Sequence, residues 1–460
     1  MNHRLKPYPA YKDSGVLWLG EVPEHWDIKP IGRLGFLLKG RGRSKADEIP
    51  QGKPCIRYGD LYTQHEYHIN QTRAFISKES ACYYTPIEYG DILFAASGET
   101  IEDIGRSAVN LINSETFCGG DVLLFRPKIE FIPRYLGYAS DSPASRHQKA
   151  CMGKGFTVIH IYGSQLRGLT VPIPPLPEQS TIVRYLDYVD RRIQRYIRAK
   201  QKLIMLLEEQ KQAIIHRAVT RGLDPKVRLK PSGVEWLGEV PEHWEVSRVK
   251  NEFLCLNRHR IPLSATERGA MTIRRYDYYG ASGVIDKVDE YLFDDDLLLI
   301  AEDGANLVLR NLPLAIIARG QFWVNNHAHI LKPRRGHLEY LAAIMEGINY
   351  QPWISGAAQP KLTQDRLMGI AIAVAPAEEQ GEIISAIRKE TAPLAMTIER
   401  SQREIDLLRE YRTRLVADVV TGKLDVREAA ARLPDEAPLA TDYGTDPSLD
   451  SEAADEESVA

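Results

Sequence analysis

The residues of this chain that could carry chemistry fall short of two catalytic motifs. Ile173-Pro-Pro-Leu176 resembles the N/D-P-P-Y/F segment that holds a target amine for methyl transfer only in its prolines, and no glycine-rich cofactor loop accompanies it. Gly153-Lys154 could end a phosphate-cradling GxxxxGK[ST] loop, but Gln148 replaces the first glycine and no Ser or Thr follows Lys154. We therefore expect no catalytic residue for methyl transfer or nucleotide hydrolysis.

A run of three carboxylates, Asp294-Asp295-Asp296, is the candidate for a metal site. Ligands of hard cations usually come from spaced positions, so the run is more typical of a solvated turn before a strand. His25 and His243 lie beside Trp26 and Trp244, with no nucleophile motif near either one. We expect no metal site and a packing role for both histidines.

Several basic and amide-bearing segments are suited to contacts with DNA. Residues 39–45 combine four cations and two glycines, as a loop that binds phosphates would. Amide groups near residues 325 and 359 suit adenine edges, although turn chemistry explains such asparagines equally well. For the basic segments, the alternative interpretations are an ordinary exposed loop and a surface strand. The candidate contacts are Lys39, Arg41, Arg43, Lys45, Lys154, Thr157, Arg274, Arg275, Tyr276, Asn325, Asn326, His327, Gln359 and Lys361.

Composition favours an intracellular, soluble protein. The chain of 460 residues is too long for one ordinary core, so two or three domains are expected. Its five cysteines are scattered without a CxxC pair, which argues against disulfides and a zinc site. No signal pattern opens the sequence and no apolar run is long enough to cross a bilayer.

The net charge of −3 conceals an uneven distribution. Residues 426–460 hold ten acids and two bases, a net charge of −8, which leaves +5 for the rest of the chain. Ala, Asp, Glu, Ser and Pro dominate this stretch without apolar periodicity, so we expect an acidic, disordered tail over 424–460. The remaining charge permits nucleic-acid binding.

An internal repeat is the strongest feature of the sequence. Residues 14–26, the first box, return as residues 232–244, the second box, with twelve of thirteen positions identical. A second block, which includes Glu178 and Gln179, returns 201 residues later rather than 218. Between the blocks the copies differ in sequence and length. A duplicated catalytic site would keep its chemistry, so the pattern indicates one scaffold that presents two different recognition surfaces.

A long heptad pattern follows each proline-rich segment that ends the second block. The pattern predicts helices over 177–220 and 378–421, each roughly 65 Å long, with Gly222 and Gly422 as stops. Because globular helices seldom exceed about 25 residues, we expect each helix to pair with its copy rather than join one core. The predicted seam residues are Ile182, Leu186, Val189, Ile193, Leu203, Leu207, Ile383, Ile387, Leu394, Leu408 and Leu415.

Two further positions qualify the helix prediction. Lys200 and Ser401 occupy equivalent seam positions, where polar residues often fix the register. Pro393 implies a kink or a late start in the second helix.

The predicted fold is α/β (α+β), with two globular domains separated by two long antiparallel coiled-coil helices in a pseudo-twofold repeat. Residues 89–98 and 121–127 look like buried strands of the first domain, and residues 296–304 and 329–333 look like their counterparts in the second. The predicted boundaries are 1–176 for the first box and domain, 177–222 for the first helix, 223–376 for the second box and domain, 377–423 for the second helix and 424–460 for the tail.

The chain resembles the specificity subunit of type I restriction-modification systems. The resemblance rests on the W-L-G-x-V-P-x-H-W segments at 18–26 and 236–244 and on the P-x-x-E-Q start of each long helix. The turn at Glu302-Asp-Gly-Ala-Asn306 also fits, and the match covers about residues 8–425. One departure is Ala375-Pro-Ala-Glu, where the first copy has Pro175-Leu-Pro-Glu.

The resemblance implies a non-catalytic subunit of a prokaryotic, cytoplasmic complex that defends against phage. Each globular domain would be a target recognition domain for one half of a bipartite site in double-stranded DNA, and the helices would set the spacer. Two adenine methyltransferase (modification) subunits with S-adenosylmethionine would dock on the helices, and motor-nuclease (restriction) subunits with ATP and Mg²⁺ would join them. No cofactor is expected in this chain. A methylation-only system would use the same chain, and a coiled-coil scaffold that binds only proteins is the further alternative.

Overall fold

The computed structural model describes residues 5–43, 47–155, 159–303, 306–310, 312–356 and 360–434. The chain divides into two compact units. Unit 1 takes the described residues of 1–198 and 405–460, and unit 2 takes those of 199–404. Within the described ranges, no helix combines the length and the apolar character that a membrane span requires.

Main sheet 1 of unit 1 has five described strands, in the order Gly35–Lys39, Val122–Pro127, Ile92–Ala95, Ser107–Asn110 and Tyr67–Ile69. A second sheet has the order Glu48–Ile49, Phe75–Ile76, Lys53–Ile56, Thr116–Cys118 and Thr85–Ile87. Two-stranded pairs join Tyr11–Asp13 to Glu21–Pro23, Asp27–Pro30 to Thr170–Ile173, and Ser97–Gly98 to Ile159–His160. The short helices of unit 1 are Asp60–Thr63, Pro133–Asp141, Pro143–Met152, Gly163–Leu166 and Arg427–Ala431, and 3-10 turns cover Ile31–Arg33 and Ser80–Tyr83.

Main sheet 2 of unit 2 has four described strands, in the order Phe253–Cys255, Ala328–Pro333, Leu297–Ala301 and Ala315–Ala318. A second sheet has the order Gly283–Val288, Tyr276–Gly280, Gln321–Val324 and Phe293–Asp294. Two-stranded pairs join Leu229–Pro231 to Glu239–Pro241, Glu245–Arg248 to Ala371–Val374, and Ile354–Ser355 to Lys361–Leu362. The short helices are Val249–Glu252, Ala265–Gly269, Asn306–Leu309, Leu338–Gly347 and Gln364–Gly369, with 3-10 turns at Asn257–His259 and Gln351–Trp353.

Apart from strand Tyr67–Ile69, the two main sheets have the same spatial order of strands: in each, the first strand along the chain lies beside the last, and the second and third follow. Ile92–Ala95 and Leu297–Ala301 are central strands whose residues are all buried, because both faces of each sheet are covered. Both lie inside the ranges that the sequence predicts for buried strands. The expected mixed α/β fold is confirmed.

The first long helix spans Leu176–Arg221 and the second spans Ala377–Val420, within one residue of the predicted ends. Each stops at a glycine with positive φ, +74° at Gly222 and +77° at Gly422, a conformation that glycine adopts without strain. Pro393 lies inside the second helix, so the late start that it suggested is wrong.

In unit 1 the beginning of the first long helix packs against the end of the second. Ile182 and Leu186 share a buried cluster with Leu415 and Val419. Further along the first helix, Asp190 pairs with Arg412 and Ile193 is buried. The two helix segments therefore run in opposite directions within unit 1.

In unit 2 the end of the first long helix packs against the beginning of the second. Ile383 and Ile387 lie in one buried cluster with Val219. Lys200 forms an ion pair with Glu404. The helix segments are again opposite in direction, because the residue numbers of the partners fall on one helix as they rise on the other.

Leu203, which the heptad count places in the seam, is 41% exposed, whereas Ile204 is half-buried. Three heptads from Ile182 lead to Leu203, but a straight helix drifts by about 20° per heptad, so the inward position moves to the next residue. Of the other predicted positions, Val189, Leu207, Leu394 and Leu408 are half-buried, and Ser401 is buried.

Residues 424–434, which the composition assigns to the tail, are folded. Asp425 donates its backbone N–H to the carbonyl of Lys6 at 2.8 Å, Val426 is buried against the long helices of unit 1, and Ala430 is buried too. Composition averaged over 426–460 hides the five apolar residues among the eight from Val426 to Leu433. The remaining predicted tail, 435–460, lies outside the described residues.

Candidate nucleic-acid interface

The first-domain candidates that the structure describes lie at one end of main sheet 1, here called edge 1. Strand Gly35–Lys39 ends beside Val122, because Lys39 pairs with Leu123 and the Gly40 N–H donates to the Val122 carbonyl at 2.8 Å. A side chain at Gly40 would meet the Gly119 carbonyl oxygen at 2.5 Å, so only glycine lets the chain pass so close. The exposed segment that follows Lys39 leaves the sheet at this edge.

Two arginines project from that segment. Arg41 is exposed, and its backbone N–H donates to Thr85 Oγ1 at 2.9 Å, which fixes the backbone and leaves the guanidinium in solvent. The Arg43 guanidinium lies 3.4 Å from the centre of the Tyr83 ring, a cation–π contact that orders the side chain. Edge 1 thus presents two exposed arginines, one with a fixed backbone and one with an ordered side chain.

Lys154 belongs to the same edge. It exchanges two backbone hydrogen bonds with His160, of 2.9 and 2.8 Å. His160 in turn pairs with Ser97, two residues after the end of strand Ile92–Ala95. The structure therefore brings Lys39, Arg41, Arg43 and Lys154 together, whereas Lys45 and Thr157 lie outside the described residues.

Edge 2, the matching end of main sheet 2, gathers four second-domain candidates. The Glu302 N–H donates to the His327 carbonyl at 2.9 Å, just after strand Leu297–Ala301 ends. Lys361 reaches the same place, since its ammonium lies 3.2 Å from the Glu302 carboxylate. Asn325, Asn326, His327 and Lys361 are therefore neighbours, and Gln359 lies outside the described residues.

The edge 2 candidates differ in what they offer a ligand. Asn325 is 7% exposed and its side-chain oxygen accepts the His327 N–H at 2.8 Å, so it shapes the turn. Asn326 is exposed. The exposed His327 ring nitrogen Nδ1 lies 2.9 Å from the Asp303 carboxylate, which holds the ring in place.

Sequence reasoning missed a basic segment at edge 2. Arg258 and His259 are exposed and follow strand Phe253–Cys255, as Arg41 and Arg43 follow the first strand of main sheet 1. Arg260 donates to the carboxylate of Glu302 and to the carbonyl of Ala328. The signal was present, because residues 257–261 lie 218 residues after residues 39–43, the offset of the two boxes.

Glu302 organises the cations of edge 2. Burial by itself raises the pKa of this carboxyl, but the hydrogen bonds from Arg260 and Lys361 and the electrostatic effect of His329 and Arg260 outweigh it, and the pKa falls below its usual range. The carboxylate therefore stays ionised and holds Arg260 and Lys361 in place.

Arg274, Arg275 and Tyr276 do not join edge 2. Strand Tyr276–Gly280 runs parallel to Gln321–Val324, and Asn325 follows the far end of that pair, about 13 Å away along the strand. Arg274 instead donates its backbone N–H to Asp289 at 2.7 Å and lies 3.4 Å from Asp286. Arg275 lies over the Tyr276 ring. Their local contacts are those of a surface strand and turn.

The run Asp294–Asp296 meets separate partners. Asp295 pairs with Lys332 and Asp296 with Arg319, while Asp294 accepts from Gln321 at 2.9 Å. The described part of the chain contains no cluster of three His, Cys, Asp or Glu residues suited to a metal ion.

The first box holds the start of the first long helix through Glu178. This carboxylate is 7% exposed and accepts hydrogen bonds from the Tyr8 hydroxyl at 2.6 Å and from Trp26 Nε1 at 3.2 Å. His25 Nε2 lies 2.8 Å from its other oxygen. Burial, with the hydrogen bond to Glu178 and its charge, raises the pKa of Tyr8, so the phenol remains a donor.

The second box repeats this arrangement around Glu379. His243 Nε2 lies 2.5 Å from one carboxylate oxygen, and Trp244 Nε1 donates to the other at 3.0 Å. Each box also covers a helix end: Gly422 lies against Pro23, and Gly222 lies against Trp244. In each unit, therefore, the two repeated blocks together fix the start of one long helix and the end of the other.

We predict that Glu178→Gln destabilises unit 1 by about 2–3 kcal/mol, because an amide cannot replace a carboxylate that accepts from the buried Tyr8 and Trp26 and also contacts His25. Glu379→Gln is the matched control and should cost under about 1 kcal/mol, since the Glu379 side chain is 36% exposed and water can replace the lost bonds. Native-state hydrogen exchange of amides in each unit measures both effects. Equal losses of amide protection in unit 1 for Glu178→Gln and in unit 2 for Glu379→Gln would contradict this prediction.

Comparisons with known proteins agree with this geometry. A family model described as type I restriction modification DNA specificity domain matches residues 23–203 and 241–405, well over half of the chain. A Methanocaldococcus jannaschii protein with the provisional name type I restriction enzyme MjaX specificity subunit is 25% identical over 426 residues, 89% of this chain and 96% of that protein. The type I restriction enzyme StySPI specificity subunit of Salmonella potsdam is 22% identical over 396 residues, 83% of this chain and 85% of that protein.

A solved structure adds support for the fold. One chain, from work on complex assembly and conformational transition of the type I R-M system, aligns with a TM-score of 0.60 at 16% identity, over 88% of this chain and 99% of that chain. The two matched ranges take in the main sheet of each unit. The chain belongs to the family of type I restriction-modification DNA specificity proteins.

Proposed function

We propose that this chain is the DNA sequence-specificity subunit of a type I restriction-modification complex and carries no catalytic step itself. The observation that carries the proposal is the pair of edges 1 and 2, which have matching strand order and different side chains. Two surfaces that differ in this way suit the two unlike halves of a bipartite site in double-stranded DNA.

The long helices would set the length of the spacer between the two half-sites. Within each unit, segments of both helices pack in opposite directions, and the second helix repeats the first at a constant offset of 201 residues. These facts support an antiparallel coiled coil with pseudo-twofold symmetry. A spacer fixed by helix length would not depend on which bases the edges read.

The helix surfaces would also dock two modification subunits that bring S-adenosylmethionine, and a motor-nuclease subunit using ATP and Mg²⁺ would complete the restriction complex. Leu206 in unit 2 and Leu407 in unit 1 are 49% and 63% exposed, and they are equivalent at the offset of 201. Exposed leucines on the two copies of a repeated helix suit one partner bound twice.

We predict that the double variant Arg41→Ala, Arg43→Ala weakens DNA binding by the assembled complex about tenfold at physiological salt. Each lost phosphate contact should lower the slope of log K against log salt by about 0.9, so the slope should fall by nearly two. Fluorescence anisotropy with target duplex across a salt series gives both values.

The matched control is Arg33→Ala, Arg167→Ala. Both arginines are exposed, and Arg33 precedes the first strand of main sheet 1, at the end opposite edge 1. This control should keep the affinity and the slope of the unmodified chain. An unchanged slope in the Arg41, Arg43 variant would refute the assignment of edge 1 to DNA.

A further inference from the structure

One face of the first long helix in unit 1 is a row of arginines. Arg184, Arg191, Arg195 and Arg198 are spaced by seven, four and three residues, which places them within about 40° of one line along a helix, and all four are exposed. Arg195 and Arg198 form no ion pair with any residue that the structure describes. We call these four residues the arginine face.

The described chain ends beside this face. Arg184 Nη2 donates to the backbone carbonyl of Leu433 at 3.1 Å. The short helix Arg427–Ala431 that leads there is anchored, since Val426, just before it, is buried in the cluster that holds Ile182 and Leu186, and Ala430 is buried as well. The residues after Pro434 therefore start from a fixed point at one end of the arginine face.

The following 26 residues, 435–460, contain nine acids and no base. From Arg184 to Arg198 the helix rises about 21 Å, a distance that about seven extended residues cover. A tether this short keeps the carboxylates at an effective concentration on the order of millimolar. At this concentration, ion pairs between carboxylates and guanidinium groups that are weak one by one are enough to keep the segment bound to the arginine face.

We propose that the acidic segment 435–460 binds the arginine face of its own chain. This contact goes beyond the proposed function and does not depend on it. The bound segment neutralises a row of cations that would otherwise attract DNA phosphates without regard to sequence. Because the groups are exposed, the contact weakens as salt rises.

Carbodiimide cross-linking of the full chain tests the proposal, because this reagent joins amines to carboxylates in contact. The variant Arg195→Lys, Arg198→Lys keeps both charges and adds two amines to the face. The control Arg33→Lys, Arg167→Lys adds two exposed amines elsewhere in unit 1. Mass spectrometry should find links from Asp or Glu in 435–457 to positions 195 and 198, at least fivefold above positions 33 and 167.

These links should disappear in about 0.5 M salt, where screening acts within a few ångströms. Links made equally to the control positions, or an absence of links, would overturn the proposal. Links made chiefly to Lys39 and Lys154 would overturn it as well and would place the segment on edge 1 as a competitor of DNA.

Discussion

Exchange of one recognition domain should change one half of the methylated site and leave the other half and the spacer as they were. The exchange is best made at residues 31 and 169, because strand Asp27–Pro30 pairs with Thr170–Ile173 and both strands should come from one parent. Cuts inside this pair would join mismatched partners and unsettle the helix start. Methylation of the original site should be lost completely.

The reciprocal exchange of residues 249–370 provides the control. Strand Glu245–Arg248 pairs with Ala371–Val374, so the same reasoning sets these boundaries in unit 2. This second chimaera should change only the opposite half-site. The modified adenines of cells that express each chimaera show which half-site has changed. If either exchange alters both halves or shifts the spacer, the two domains do not read separate half-sites.

Aspartate at both exposed helix leucines should abolish methylation by the reconstituted complex. A carboxylate buried in an apolar interface costs at least about 2–3 kcal/mol, which weakens binding about 30- to 150-fold at each site. Leu206→Asp or Leu407→Asp alone should leave one modification subunit bound. Analytical ultracentrifugation of the chain with its modification subunit measures the stoichiometry directly.

Leu312→Asp is the matched control, because Leu312 is 50% exposed in unit 2 and lies outside the long helices. It should assemble and methylate normally. Normal assembly of the Leu206→Asp, Leu407→Asp chain would show that the modification subunits dock elsewhere.

Local sequence patterns predicted the elements that repeat. The heptads and the flanking glycines gave both long helices to within one residue, because helix periodicity and stop signals are local. The heptad count was wrong at Leu203, which it placed in the seam. A straight helix drifts by about 20° per heptad, so a count over several heptads loses the inward-facing position.

The edges were harder to predict, because strand order brings distant segments together. Lys361 and Glu302 are 59 positions apart in sequence but form an ion pair, which no local pattern reveals. Arg260 could have been found by applying the box offset to residues 39–43. Arg274 looked equally basic, yet it lies at the other end of its strand and engages Asp286 and Asp289.

The most direct test of the account is adenine-methylation sequencing of a host with and without this gene. Two unlike half-sites separated by a fixed spacer should be methylated only when the gene is present, and the purified chain alone should transfer no methyl group to the same DNA. A single continuous motif, or methylation by the verified monomeric chain, would contradict a non-catalytic subunit with two readers.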